Sequence, residues 1–191
     1  MIQGLLDKGF ESVDNWLTAE QLNGLRKSLL TRYQNDNFRV AGIGNKDNLQ
    51  TAKRVRNDQI HWLETSKADD NEKTFLNQIN HFVQYLNETC MAGLKSFEFH
   101  HAVYEQGSFY KKHVDQFVND DSRQFSVVLY LTEAWSEGDG GELLLYTNNN
   151  TVSKVQPLPG RLVFFKSTLP HEVLTSNITR LSVTGWLKNR A

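Results

Sequence analysis

The apolar positions of this chain follow two rhythms. In the first half they recur every three or four residues. Leu22, Leu25, Leu29 and Tyr33 do so directly behind Thr18-Ala-Glu-Gln21, a capping-box pattern in which Thr18 caps a helix and Gln21 reaches back. Phe75, Ile79, Phe82, Val83 and Leu86 form a second stripe and predict a helix over about residues 71–93. Both stripes read as core, and Cys90 is expected to be buried as a small hydrophobe at the end of the second helix. From Phe97 onward the rhythm becomes two: Phe97, Phe99, His101 and Val103 alternate with other residues. Short β-branched and aromatic runs bounded by Gly, Asn, Asp or Pro predict strands at 125–131, 142–147, 161–166, 171–175 and 180–187. The expected architecture is α+β, with helical support over about residues 1–95 under a β-sandwich or barrel such as a jelly roll over about 96–191.

Between the helices, Arg39 to Asp58 shows little periodicity and reads as a long loop of the kind that is either functional or disordered. Gly42-Ile-Gly44-Asn-Lys46 lacks the Gly-Lys-Ser/Thr ending of a phosphate loop. Lys53-Arg54-Val-Arg56 is too short for a nucleic-acid patch and reads as a solvated stretch. With no repeat or Pro/Ser-rich linker, and its three prolines confined to the last third, the chain is expected to be one domain, 1–191.

Composition narrows the partners. The 21 Lys+Arg and 22 Asp+Glu leave a formal charge of −1, which argues against a nucleic-acid footprint. No apolar run approaches the roughly 20 residues of a membrane span. The opening residues carry charges inside their only apolar stretch and do not resemble a signal peptide. The single cysteine excludes an internal disulfide and suits a reducing cytoplasm.

Candidate chemistry begins at His113-Val-Asp115. On an extended chain, residues i and i+2 project to the same face, so an imidazole and a carboxylate lie side by side. His171, in Pro170-His-Glu-Val173, is the best third partner. Two histidines and one carboxylate form the facial arrangement of non-haem Fe(II) oxygenases. Taken alone, the three fit a metal site and structural histidines about equally. Arg180, nine residues beyond His171, would bind a carboxylate in a charge-assisted pair, and Tyr130 could add a hydrogen bond. His61, His81, His100 and His101 read as structural, the adjacent pair pointing to opposite faces of a strand.

These residues sit in ordered motifs: Tyr110-Lys-Lys-His-Val-Asp115, Arg123 with Val128-Leu-Tyr-Leu131, Gly140-Gly-Glu-Leu143, Pro157-Leu-Pro-Gly-Arg-Leu-Val-Phe-Phe165, Pro170-His-Glu-Val173, and Thr179-Arg180 with Trp186. Together they resemble the 2-oxoglutarate- and Fe(II)-dependent prolyl 4-hydroxylases, in the branch of the hypoxia-sensing enzymes of animals and their bacterial relatives. Upstream, Val13-Asp-Asn-Trp-Leu17 and Val55-Arg-Asn-Asp-Gln-Ile-His-Trp62 extend the resemblance over nearly the whole chain. It implies a double-stranded β-helix (jelly-roll) core. It further implies that His113, Asp115 and His171 hold Fe(II), and that Arg180 binds the distal carboxylate of 2-oxoglutarate with help from Tyr130. Tyr104 would line the cosubstrate pocket. Tyr110, Arg123 and Trp186 would surround the target proline, and Arg56 and Asp58 would end a mobile loop of about residues 40–58. Asn57 departs from the glycine of the animal enzymes, which implies a stiffer loop end.

The implied reaction is a procollagen-proline type hydroxylation at C4 of a proline in a protein loop. It is coupled to oxidative decarboxylation of 2-oxoglutarate by O2, with ascorbate as a reductant. The implied enzyme is a cytoplasmic monomer with no membrane or nucleic-acid partner, and by analogy elongation factor Tu is the first candidate substrate. A carboxylate at Asp115 suits hydroxylation, where a small residue would leave room for a halide. Three alternatives stay open: a nucleic-acid demethylase, a small-molecule oxygenase and a cupin-type metal-binding barrel. The first needs a basic surface, the second a compact lid and the third a His-x-His pair.

Overall fold

The computed structural model describes residues 2–42, 54–147 and 151–190. The helices are α1 (Ile2–Lys8), α2 (Ala19–Gln34) and α3 (Asp70–Cys90). The strands are β1 (Phe10–Val13), β2 (Arg39–Val40), β3 (Gln59–Trp62), β4 (Ser96–Tyr104), β5 (Tyr110–His113), β6 (Arg123–Tyr130), β7 (Leu143–Tyr146), β8 (Val152–Val155), β9 (Leu162–Lys166), β10 (His171–Val173) and β11 (Arg180–Lys188).

Local chemistry sets the helix ends. Thr18 and Gln21 form both arms of the expected capping box. A second box opens α3, where Asp69 accepts from the Glu72 amide and Glu72 accepts from the Asp69 amide. The helix ends at Met91 in the left-handed region (φ 50°), earlier than the periodicity suggests. Cys90 is exposed, contrary to expectation. Residues 88–91 are all solvent-facing, so the last turn carries its stripe position beyond the packed core.

The strands form two antiparallel sheets, a large one in the order β1-β9-β6-β11-β4-β3-β2 and a small one in the order β5-β10-β7-β8. From β4 onward the chain crosses back and forth between them, with only the β7–β8 hairpin staying in one sheet. β4, β6, β9 and β11 lie in the large sheet and β5, β7, β8 and β10 in the small one, which is a jelly-roll core. The large sheet is buried on both faces. Phe99, Val103, Val127, Leu129 and Phe164 pack against Leu25, Leu29, Phe75 and Ile79 of the helices. Ala102, Tyr104, Val128, Tyr130 and Phe165 face Leu143, Leu145 and Val173 of the small sheet. Double-sided burial explains the unbroken apolar run Val127–Tyr130 in the second half of β6.

The strands β1, β2, β3, β5 and β8, and helix α1, have no counterpart among the expected elements; all are seven residues or shorter. Most of the expected mobile loop, residues 43–53, lies outside the described residues. Its far end does not read as a solvated stretch: Arg56 is buried and bridges to Tyr110 of β5. No described helix is long and apolar enough to cross a membrane.

Candidate active site

β5 and β10 are register partners, with His113 opposite His171. Asp115 follows β5, where its amide donates to the Ser167 carbonyl (3.0 Å) in the β9–β10 turn. This brings the three side chains together, with one ligand atom from each within 4.8 Å of the others. Nδ1 of His171 donates to the Leu169 carbonyl (2.9 Å), and Nδ1 of His113 donates to that of Lys111 (2.7 Å). Each imidazole therefore keeps its Nε2 lone pair for the interior, 3.4–3.5 Å from the Asp115 carboxylate. The His113 ring is stacked at 3.5 Å on Tyr110, and His171 meets the edge of Phe165. Burial alone would raise the Asp115 carboxyl, but His171, His113 and the Ser126 hydroxyl together hold it well below the usual carboxylate range. Burial drives His171 down to about 4, against the pull of Asp115. An ionised Asp115 carboxylate and a neutral His171 imidazole are the protonation states in which these side chains serve as metal ligands.

Behind this cluster stands Arg180, 2% exposed at the start of β11. Its guanidinium lies 4.5 Å from the Tyr104 ring and 4.9 Å from that of Tyr130. Gly141 (φ 74°) makes room for its stem, since a Cβ there would fall 3.0 Å from Arg180 Cδ. The Nε and Nη1 atoms of Arg180, the Tyr130 hydroxyl and the Ser182 hydroxyl are buried without partners among the described residues. Burial keeps the Tyr104 and Tyr130 phenols protonated. This group is rich in donors and lacks an anion, the complement of a carboxylate. Arg180 and Tyr104 line the cavity that contains the His-Asp-His cluster, and Tyr130 is packed beside Arg180.

Part of the cavity wall is aromatic and carries an ion pair. Tyr110 and Trp186 line it together with Arg56 and Asp58. Arg56 pairs with Asp58 through two hydrogen bonds (2.8 and 2.6 Å) and lies 4.2 Å over Tyr110. Burial pushes the Tyr110 phenol up to about 12, although Arg56 opposes the shift. Asn57 accepts the Phe109 amide proton (2.9 Å), and Val55 accepts that of Lys111 (2.9 Å), fastening the loop end to β5. Arg123 is absent from the cavity wall. It stacks 3.5 Å over Trp186 while Glu98 takes its Nε and Nη2 protons.

A family profile described as the 2OG-Fe(II) oxygenase superfamily matches residues 99–188. The fold is similar over 99% of this chain and 97% of the other to a crystal structure of a Pseudomonas putida prolyl-4-hydroxylase, at 32% identity and a TM-score of 0.89. This chain belongs to the 2OG-Fe(II) oxygenase superfamily. The oxygenase is also similar to a Trichoplax adhaerens prolyl hydroxylase solved with a hypoxia inducible factor peptide fragment. That likeness has 26% identity, a TM-score of 0.87, and covers 98% of this chain and 87% of the other. Among curated relatives, the Xenopus laevis prolyl 3-hydroxylase OGFOD1 is 36% identical over 77 residues, 35% of this chain. The oxygenase spans 15% of that relative's length.

The superfamily implies Fe(II), 2-oxoglutarate and O2, and the donor set fits them: a mixed His-carboxylate cluster for a divalent metal, and unpaired cationic and hydroxyl donors for a dicarboxylate. Four neighbours of the site escape the sequence reading. Ser126 donates to Asp115 (2.6 Å), and the Ser167 hydroxyl lies 3.0 Å from Ser126, orienting the carboxylate. Thr184 and His100 line the cavity. Of the two adjacent histidines, His101 has the structural role expected of both, bonding Glu72 of α3 (2.9 Å), while His100 faces the site. The signal available for His100 is its even spacing with Ala102 and Tyr104 on one strand face.

Proposed function

We propose that this oxygenase is a protein prolyl 4-hydroxylase. The composition of the cavity carries this reading: Tyr110 and Trp186 line the same cavity as the His113-Asp115-His171 cluster and give it aromatic walls suited to a pyrrolidine ring. Likeness to prolyl hydroxylases along almost the full chain supports it. In this reading His113, Asp115 and His171 ligate Fe(II), with Ser126 orienting Asp115. Arg180 and Tyr130 hold the far carboxylate of 2-oxoglutarate, and Tyr104 packs along it. When bound, Fe(II) and 2-oxoglutarate supply activation of O2, with one oxygen atom entering succinate as CO2 leaves and the other entering the substrate C–H bond. The chain's own work is to orient the proline with Tyr110 and Trp186, to brace Trp186 with Arg123, and to wall the cavity with the Arg56–Asp58 loop end. The substrate is a proline in a flexible loop of a folded protein, elongation factor Tu being the first candidate. The enzyme acts as a cytoplasmic monomer with ascorbate as reductant, and nucleic acid is not its substrate.

The test is mass spectrometry of a lysate, and of purified elongation factor Tu, after incubation with the enzyme, Fe(II), 2-oxoglutarate and ascorbate. A proline gains one oxygen atom, the product co-elutes with 4-hydroxyproline, and Asp115→Ala abolishes the gain. The 3-hydroxy isomer would move the assignment toward the Xenopus laevis relative's named position. Oxygen on another residue or a metabolite, with none on proline, overturns the prolyl reading.

A further inference from the structure

His100 belongs to the cavity wall, yet nothing in the proposed reaction uses it. In β4 it sits opposite Trp62 of β3 on one side and Thr184 of β11 on the other. Its ring is enclosed by two indoles, with centroids 5.0 Å away at Trp62 and 5.5 Å away at Trp186. The residue is 2% exposed, and its Nδ1 has no hydrogen-bond partner among the described residues. Trp186 Nε1, in the neighbouring ring, is equally unpaired. Burial, reinforced by the Arg56 and Arg123 cations, keeps the imidazole neutral. A neutral imidazole has one N–H and one lone pair, and an indole has only an N–H. Leaving such groups buried and unpaired is costly, and native structures rarely retain them without a ligand or a role.

These donors are separate from those around Arg180. Arg180, Tyr130 and Ser182 form one group, matched to a carboxylate. His100 and Trp186 form another, further along the same sheet face and on the wall of the same cavity. The Trp186 indole can only donate, so what enters there must bring an acceptor, and the His100 tautomer with its N–H toward the cavity shares it. An X–Pro bond is a tertiary amide: it has a carbonyl and no N–H, so it suits a donor-lined wall and would waste an acceptor-lined one.

We propose that His100 is a substrate-reading residue whose ring N–H donates to the main-chain carbonyl preceding the target proline. Trp62 and Trp186 hold the imidazole edge-on to that carbonyl. This rests on the prolyl reading above and deepens it. Recognition falls on the peptide backbone, so His100 selects for an extended X–Pro segment and not for a particular neighbouring side chain.

The experiment uses the proline peptide identified by the lysate test and a second version of it with a thioamide, a weaker acceptor, at the X–Pro bond. His100→Met keeps bulk and removes the donor; His100→Gln restores one. His100→Met raises the peptide KM about tenfold, the scale of one hydrogen bond left unmade at a buried site, while the 2-oxoglutarate KM moves less than about twofold. His100→Gln recovers most of that loss. The thioamide weakens binding to the wild type and to His100→Gln but not to His100→Met. Equal peptide KM values for wild type and His100→Met, or a thioamide penalty of the same size in all three proteins, overturns the role of His100. If the wild-type enzyme oxidises no proline at all, the prolyl reading fails first and the inference falls with it. If it does and only the His100 contrasts vanish, the prolyl reading stands alone.

Discussion

The two faces of the large sheet treat buried polar groups in opposite ways. On the helix side, the fully buried Glu72 carboxylate accepts two hydrogen bonds from Arg32 (both 2.6 Å), one from His101 (2.9 Å) and one from the Asp69 amide (2.9 Å). Burial alone would raise Glu72, but the bonds from His101 and Arg32 prevail and bring it down to about 2. On the cavity side, Arg180 is as deeply buried and has no carboxylate partner among the described residues. A satisfied network ties α2, α3 and β4 into one body. An unsatisfied cation is tolerated only where a ligand completes it, so the same strand separates a structural face from a binding face at the peptide bond between His100 and His101.

The largest effects test this contrast directly. Glu72→Ala strands Arg32 and His101 and should lower unfolding free energy by about 3–5 kcal/mol, read from urea denaturation. Arg180→Met removes a buried charge without a partner. It should leave the ligand-free unfolding midpoint unchanged or raised, while increasing the 2-oxoglutarate requirement by roughly two to three and a half decades. Equal destabilisation by the two substitutions would break the comparison.

Acid sharpens it. The folded-state pKa of Glu72, about 2, lies below its usual 4.5, so the stability it contributes is complete above pH 4.5 and is lost as pH falls through about 2. The stability gap between wild type and Glu72→Gln should therefore narrow over that interval, and a gap independent of pH would assign the network's strength to packing.

The smallest effect concerns the loop end. Asn57→Gly removes the bond to the Phe109 amide and adds backbone freedom, a change of about 1 kcal/mol. Amide exchange at residues 54–58 should quicken without a shift in the global unfolding midpoint. Unchanged exchange would assign the fastening to the Val55–Lys111 bond and the Arg56–Asp58 pair.

Legibility followed the range of the interactions. The Thr18–Gln21 box and the apolar stripes of α2 and α3 are local patterns and are formed as expected. The alternation Phe99, His101, Val103 marks the helix-facing side of β4 correctly and, by the same token, draws attention away from the side that lines the site. Strands such as β5 and β8, four residues each, carry too little periodicity to be seen alone, although β5 bears His113. Trp186 is buried, as its core reading expects, and it also lines the cavity.

The sequence by itself determined the helix caps, the switch from period three-and-a-half to period two near residue 95, and the residue types needed for an iron and 2-oxoglutarate site. Those depend on neighbours a few positions apart, where spacing dictates which side chains share a face. Only the tertiary structure decided that His171 lies opposite His113, that Ser126 and Ser167 orient Asp115, that Arg123 braces Trp186 from outside the cavity, and that Cys90 overhangs the core. The same holds for the two histidines of β4: their chemistry is identical, and the partners brought up by α3 on one side and by β3 and β11 on the other divide them between the helix-facing network and the cavity wall.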